Sequence, residues 1–503
     1  MPDAPETEAL PNEWGPTLED LARRREAARV MGGDERLARQ HAAGRLDARQ
    51  RVAGFVDPGS FREIGTLVGD VPADGFVAGT GTVAGRPVMV GAEDFTVLAG
   101  TIAAGSNAKR LRLAELALQE HVPLVMMLEG AGFRPTERAS GRSMTDLLMQ
   151  VQCSGQVPMV TLVLGASAGH GALIAPISDF TVMTEQASIF TAGPPVVKQS
   201  TGEDVDKLAL GGPTVAVASG LIHNVAADDD GAFDQARTYL SYFPPSAWSY
   251  PSWIDTGDTG PRAVPELLSI VPRNNRRVYD MRAVLDAVFD GGGWFEVQPG
   301  FGPAVICALA RLGGHAVAVV ANQPKALAGS VDANAADKAA HFVAVADSFH
   351  LPLVFLADNP GVLPGTKSER AGVLRSGARM FAAQAHATTP KVHLTLRKAY
   401  GFGSLVMALA AHGHQTATFA YPGATLGAMG ADASSRAMRS DDDEAAQLRE
   451  MELTASYRSA ERLGFDELID PRETRDALLG AVALAVTRRQ EPPAPKLRAG
   501  ISP

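Results

Sequence analysis

A twelve-residue stretch occurs twice in this chain, and it restricts the possible folds more than any other feature. His121-Val-Pro-Leu-Val-Met-Met-Leu-Glu129-Gly-Ala-Gly132 is echoed by His350-Leu-Pro-Leu-Val-Phe-Leu-Ala-Asp358-Asn-Pro-Gly361, with His, Pro, acid and closing Gly each 229 positions apart. The same offset relates Gly100 to Gly329, each ending a Leu-Ala-Gly, and Lys109 to Lys338. Solenoid repeats recur every 20–50 residues or so, and a period this long means a duplicated domain instead. The function must therefore use two related halves.

The hydrophobic pattern around the repeats predicts a helix over 102–120, a buried strand over 123–128, a loop over 129–132, a helix over 140–152, a strand over 158–164 and a glycine loop over 165–171 leading into a helix. The second half predicts the same order: strand 316–322, helix 333–349, strand 352–357, loop 358–361, helix 368–387, strand 391–396 and loop 398–403. Upstream, residues 17–52 are helical in character with a break at Gly32-Gly33, and two β runs surround a turn at Gly85-Arg86. Strand, glycine loop and helix in repetition predict a crossover α/β architecture with working loops at the strand ends. The Pro- and Gly-rich passage from Pro244 to Gly260 is the natural boundary, giving a disordered lead-in over 1–15 and domains over 16–250 and 251–503, with a flexible end after about Glu491.

Composition excludes several functions. A net charge of -10 argues against a nucleic-acid surface. Two isolated cysteines, Cys153 and Cys307, exclude a disulfide framework and a four-Cys zinc site, and read as reduced core residues. Residues 147–178 carry no Asp, Glu, Lys or Arg, but Gln150, Gln152, Ser154, Gln156, Pro158 and the glycines after Leu164 break that run, so no membrane span is expected. The acidic N-terminus lacks the order of a signal peptide, and a cytoplasmic location is expected.

Conventional catalysts are scarce. A glycine at the end of a buried strand lets bare backbone N–H groups face a ligand, and such donors can hold an oxyanion, an enolate being the obvious candidate. Four such loops are available, two per half. Ser167 in Gly165-Ala-Ser-Ala-Gly169 fits the spacing of a nucleophile elbow, which makes a serine hydrolase a competing reading, although no acid and histidine partner is identifiable. His170 reads either as a base or as a cap or core histidine.

Several longer segments point further: Gln40-His-x-x-Gly-Arg-Leu-x-Ala-Arg-x-Arg51, Asp94-Phe-Thr-Val97, Thr201-Gly-Glu-Asp-Val205 with Leu210-Gly-Gly212, Tyr279-Asp-Met-Arg282, Val320-Ala-Asn-Gln-Pro324, Pro360-Gly-x-x-Pro-Gly365 and Arg397-Lys-Ala-Tyr-Gly401. In these the chain resembles, over nearly its whole length, the carboxyltransferase (β) subunits of biotin-dependent acyl-CoA carboxylases of propionyl-CoA carboxylase type. The resemblance implies an α/β fold of two tandem crotonase-like domains, the N-terminal one on the acyl-CoA side and the C-terminal one on the biotin side. It implies an enzyme that transfers a carboxyl group from N1′-carboxybiotin to the α-carbon of an acyl-CoA through an enolate. By the same resemblance Gly132 and Phe133 match the first oxyanion hole, and Phe402 and Gly403 the second. Ala131, Arg134, Gly169, His170, Gly171, Gly361, Tyr400, Gly401 and Leu405 would then line the acyl-CoA and biotin sites.

Biotin would arrive on a separate carrier, because the chain lacks an Ala-Met-Lys-Met-type biotinylation site. The partners implied are a biotin carboxylase with its biotin carboxyl carrier, the acyl-CoA substrate, and other copies of the chain in a homo-hexamer, with no metal in this subunit. The chain also departs from the family. Where the first loop usually reads Asp-Ser-Gly-Gly-Ala-Arg it has Glu129-Gly-Ala-Gly-Phe-Arg134, and His170 and Phe402 stand where glycine is usual, so a narrowed pocket is expected. Leu405 replaces an acidic residue of the propionyl type, which suits a longer or branched acyl group. Two alternatives remain open at this point: a divergent, non-catalytic acyl-CoA-binding or assembly subunit, and a biotin-dependent decarboxylase or transcarboxylase subunit.

Overall fold

The computed structural model describes residues 13–134 and 145–496. Residues 1–12 of the expected lead-in, 140–144 of the expected helix and 497–503 of the expected tail lie outside the described residues. Two large mixed sheets carry the chain. The first runs Arg62–Ile64, Phe76–Val83, Arg86–Glu93, Leu124–Leu128, Met159–Val163, Phe180–Thr184 and Asn224–Ala226 in spatial order. The second repeats that plan with Phe295–Val297, Val305–Leu312, His315–Asn322, Leu353–Asn359, Lys391–Tyr400, Gln415–Ala420 and Glu467–Leu468. Each begins with antiparallel strands and continues with parallel ones. The parallel strands are covered on both faces, which is why Leu124–Leu128 and residues 353–357 read as unbroken apolar runs and not as alternation.

The duplication holds residue by residue. Hairpin Phe76–Glu93 becomes Val305–Asn322 and helix Ala104–Gln119 becomes Ala333–Ser348, at the 229 offset. Left-handed backbone recurs in step at Leu98 and Leu327, Ala99 and Ala328, and His121 and His350. Such conformations are costly for residues with a Cβ, so their recurrence marks a shared framework more than a shared composition. The two halves also share one hydrophobic core, in which Phe180 stacks on Tyr239 at 4.5 Å, Phe295 meets Phe180 at 5.6 Å and Phe349 meets Phe243 at 5.6 Å.

Three expectations need correction. The helix expected over 368–387 is two, Thr366–Arg370 and Val373–His386, because Gly372 adopts left-handed backbone between them. The loop expected over 398–403 is strand as far as Tyr400 and helix from Gly401, since Lys398–Tyr400 pairs with Thr425–Gly427, a partner too distant for local pattern to reveal. Likewise Ala166–Ala168, inside the expected glycine loop, is a strand paired with Ser188–Phe190. Cys153 and Cys307 are free and buried, with burial pushing both thiols up to about 12. Among the described residues no helix is long and apolar enough to cross a membrane.

Candidate active site

In the first half two loops abut beyond the ends of neighbouring parallel strands. Ile102 bridges to Phe133: its N–H donates to the Gly132 carbonyl at 2.8 Å, and its carbonyl accepts from Arg134 N–H at 2.9 Å. A residue flanked in this way directs its own N–H away from the bridge, so the Phe133 N–H faces the opposite side. Gly132 has a φ of 83°, and a Cβ there would stand 2.9 Å from the Ala168 carbonyl oxygen. The second loop is therefore packed against the first through Gly169, itself left-handed at a φ of 61°.

The second half repeats this construction. Val331 bridges to Val362, taking the Gly361 carbonyl at 3.1 Å and giving its own carbonyl to Leu363 N–H at 2.9 Å. The strand registers, Leu124 beside Met159 and Leu353 beside Lys391, place Gly169-His170-Gly171 in correspondence with Gly401-Phe402-Gly403. Gly401 is left-handed like Gly169. Asn359 clips the two loops together, accepting from Gly361 N–H at 2.7 Å and donating to the Gly403 carbonyl at 2.8 Å.

Buried polar groups fix both loops from behind. Glu129 is fully buried and accepts from Gln40 Nε2 at 2.8 Å, Arg45 at 3.0 Å and Arg51 at 2.5 Å, which explains the long motif around residues 40–51. Asp47 starts the helix that carries Arg51, accepting from the N–H groups of Arg49 and Gln50. The Glu129 N–H donates to Glu93 Oε2 at 3.0 Å, and at the equivalent positions Asp358 N–H donates to Asn322 Oδ1 at 3.2 Å. Asp358 is held by Arg397 at 2.7 Å and Lys398 at 3.3 Å. Burial pushes the Glu93 carboxyl up, and the Arg110 guanidinium 2.9 Å away opposes that shift.

The candidates from sequence divide between the loop surface and the support behind it. Phe133 and Leu405 are 38% and 39% exposed. The Phe402 ring, expected to narrow a pocket, turns toward the helix Val373–His386, where Phe381 lies 6.3 Å from it and a Cβ on Gly377 would touch it at 2.9 Å. Arg134 is tied to Asp74 at 2.8 Å and to Thr101. The Tyr400 hydroxyl bonds to Thr425 and Glu452, and burial with the Glu452 contact pushes its pKa up. His170 Nε2 lies 2.7 Å from Asp146 Oδ1. Ser167 does not form a nucleophile elbow: it sits within a strand, its hydroxyl is buried with no hydrogen-bond partner among the described residues, and its counterpart in the second half is Ala399. Sequence reasoning missed Val362 and Asn359. The 229 offset from Phe133 and Gly130 points to both.

His393 braces the short helix Gly401–Val406 from below, with Nδ1 2.7 Å from the Met407 carbonyl and Nε2 2.7 Å from Thr395 Oγ1. Burial lowers its pKa to about 4, against the hydrogen bond to Met407. Between that value and the ordinary 6.5 the unfolded chain binds more protons than the folded one, so stability is lost as pH falls through this window. We expect the loss at His393 to reach about 3 kcal/mol by pH 4, at about 1.4 kcal/mol per pKa unit. Urea unfolding of wild type and His393→Gln at pH 7 and pH 4.5 should show the stability gap between them narrowing in acid; a constant gap would contradict it.

Two sheets on one duplicated plan, each ending in a pair of abutting loops, define a crotonase-like fold. The model of the carboxyl transferase domain family matches residues 39–499. The chain is 37% identical to the methylmalonyl-CoA carboxyltransferase 12S subunit of Propionibacterium freudenreichii subsp. shermanii, over 95% of this chain and 96% of that one. It is 36% identical to the propionyl-CoA carboxylase beta chain of Saccharopolyspora erythraea, over 95% and 94% respectively. A solved transcarboxylase 12S structure, described as a hexamer with methylmalonyl-coenzyme A and methylmalonic acid bound, superimposes with a TM-score of 0.89 at 36% identity, covering 98% of this chain and all of that one. The chain belongs to the carboxyl transferase family and is a carboxyltransferase of the biotin-dependent acyl-CoA carboxylase type.

Proposed function

We propose that the chain transfers the carboxyl group of N1′-carboxybiotin, brought by a separate carrier protein, to the α-carbon of an acyl-CoA. The observation that carries this reading is the recurrence of one loop pair in both halves: the Gly132-Phe133 loop against Gly169–Gly171, and the Gly361-Val362 loop against Gly401–Gly403. The reaction develops two oxyanions, the thioester enolate and the ureido oxygen of biotin once the carboxyl leaves. The first loop pair, through the N–H groups of Phe133, His170 and Gly171, holds the enolate, the Gly169 N–H being donated to the Phe190 carbonyl at 3.1 Å. The second, through those of Phe402 and Gly403, holds the ureido oxygen. Donors fixed in advance stabilise a developing charge without reorganising, and each contributes about 2.7–4 kcal/mol in enzymes where one has been removed. The ureido nitrogen vacated by the carboxyl group takes the α-proton in the basic reaction.

The N-terminal half, 16–250, serves acyl-CoA and the C-terminal half, 251–503, serves biotin. A hexamer like that of the 12S relative supplies complete sites, and a biotin carboxylase with its carrier completes the cycle. Exposed Leu405, on the helix that carries Gly403, suits an acyl group longer or more branched than propionyl. The test is to mix the purified chain with labelled, carboxylated biotin carrier and a panel of acyl-CoAs. Label is expected in a carboxyacyl-CoA. An intact oligomer that binds CoA yet labels no acyl-CoA would show an assembly subunit instead.

A further inference from the structure

The first half-site holds a group its counterpart lacks. Where the second half has Phe402, a hydrocarbon, the first has His170, whose Nε2 meets Asp146. Asp146 is fully buried and also accepts from Asn107 Nδ2 at 2.6 Å and Arg110 Nε at 2.8 Å. Burial pushes its carboxyl up, but His170 and Arg110 outweigh that and hold it at about 2, so it is ionised. A carboxylate only accepts hydrogen bonds, so Nε2 carries a ring proton, and in the neutral ring Nδ1 is the nitrogen with the lone pair. The His170 side chain is 18% exposed and that of Asp146 not at all, so the ring lies between a buried acid and solvent, on the turn that packs against the Gly132 loop. The other titratable groups of these loops are committed: Glu129 to Gln40, Arg45 and Arg51, and Arg134 to Asp74 and Thr101. Nδ1 of His170 has no hydrogen-bond partner among the described residues.

We propose that His170 is a second base for the acyl-CoA α-proton, acting when no biotin is bound, with Asp146 as its positioning residue, so that this chain enolises acyl-CoA without biotin. This rests on the acyl-CoA reading of the first half-site. The Nδ1 lone pair takes the α-proton, and the electrons of the C–H bond become the enolate, whose oxygen the backbone N–H groups hold. The imidazolium, its Nε2–H still on Asp146, then returns a proton to the carbon after exchanging with water. The acid behind the ring fixes its tautomer and stabilises the imidazolium, as in the triads of hydrolases. No oxidant or co-substrate beyond water is consumed.

The test incubates the full-length chain alone with the acyl-CoA panel in D2O and follows α-deuteration by mass spectrometry. Wild type is expected to exchange well above the buffer rate, His170→Gln at least about a hundredfold more slowly, within the range of general-base effects, and Asp146→Asn, which keeps the base and loses only its orienting acid, about tenfold more slowly. Added imidazole should restore exchange to His170→Gly, which a purely structural role for the ring would not allow. Absence of exchange in wild type, or wild-type exchange in His170→Gln, would overturn the inference. Carboxyl transfer measured in parallel separates the two readings. Exchange without transfer leaves His170 as the base and sinks the proposed function; transfer without exchange does the reverse.

Discussion

Gly403→Ala is expected to lower the rate of carboxyl transfer by about 10²–10³-fold while the chain still folds. The added methyl carbon would stand 2.7 Å from Asn359 Nδ2 and 2.8 Å from Gly361 Cα, well inside contact distance. Asn359 is the clip between the two loops, so the strain falls on the N–H groups proposed to face the ureido oxygen. Loss of one such donor accounts for the size of the effect. Overpacking costs stability too, about 1–3 kcal/mol, which a chain of this size tolerates. Gly480→Ala makes the control: its Cβ meets nothing within 4 Å on the helix Thr474–Thr487, so transfer should be unchanged and stability should rise by up to about 1 kcal/mol. Transfer rates beside melting curves for both variants would check this, and a Gly403→Ala enzyme of full activity would remove the second loop pair from the chemistry.

Glu129→Ala is expected to be among the most destabilising single changes, at about 3–5 kcal/mol by urea unfolding. The Arg51 side chain is 2% exposed and would keep Asp229, 2.8 Å from its Nε, as its one acidic partner, with the Leu164 carbonyl 3.0 Å from NH2, while its NH1 lost the carboxylate. Stranding a buried charge costs far more than an ion pair gains over an apolar pair. A double change of Glu129 and Arg51 to leucine should therefore recover part of the loss, and a Glu129→Ala chain as stable as wild type would show that the network is not load-carrying. Activity should fall with stability, since Glu129 directly precedes the Gly130–Gly132 loop and its own N–H is anchored on Glu93.

The duplication was legible because it rests on residues whose role is local. His121 and His350 hold left-handed backbone, and Gly132 and Gly361 have positive φ, at 83° and 125°. Buried strands likewise show as apolar runs wherever they fall. What stayed hidden depends on partners distant in sequence. Lys398–Tyr400 reads as loop until Thr425–Gly427 is placed beside it, and the Gln40–Arg51 motif is only a family likeness until Glu129 is found at its centre. Val362 escaped notice because a backbone N–H leaves no trace in residue type. Asp146 stands apart in the same way: its meaning comes from Asn107 and Arg110 on the helix Ala104–Gln119 and from His170 on the 169–171 turn, all distant in sequence.

The division of labour between the halves is tested most directly by a crystal structure with a non-reactive acyl-CoA analogue and free biotin soaked together. The expected result is the thioester oxygen within hydrogen-bond distance of the Phe133 N–H and the 169–171 turn, and the ureido oxygen of biotin within the same distance of the Phe402 and Gly403 N–H groups. Acyl-CoA seated at the second loop pair, or both ligands crowded at one of them, would contradict it.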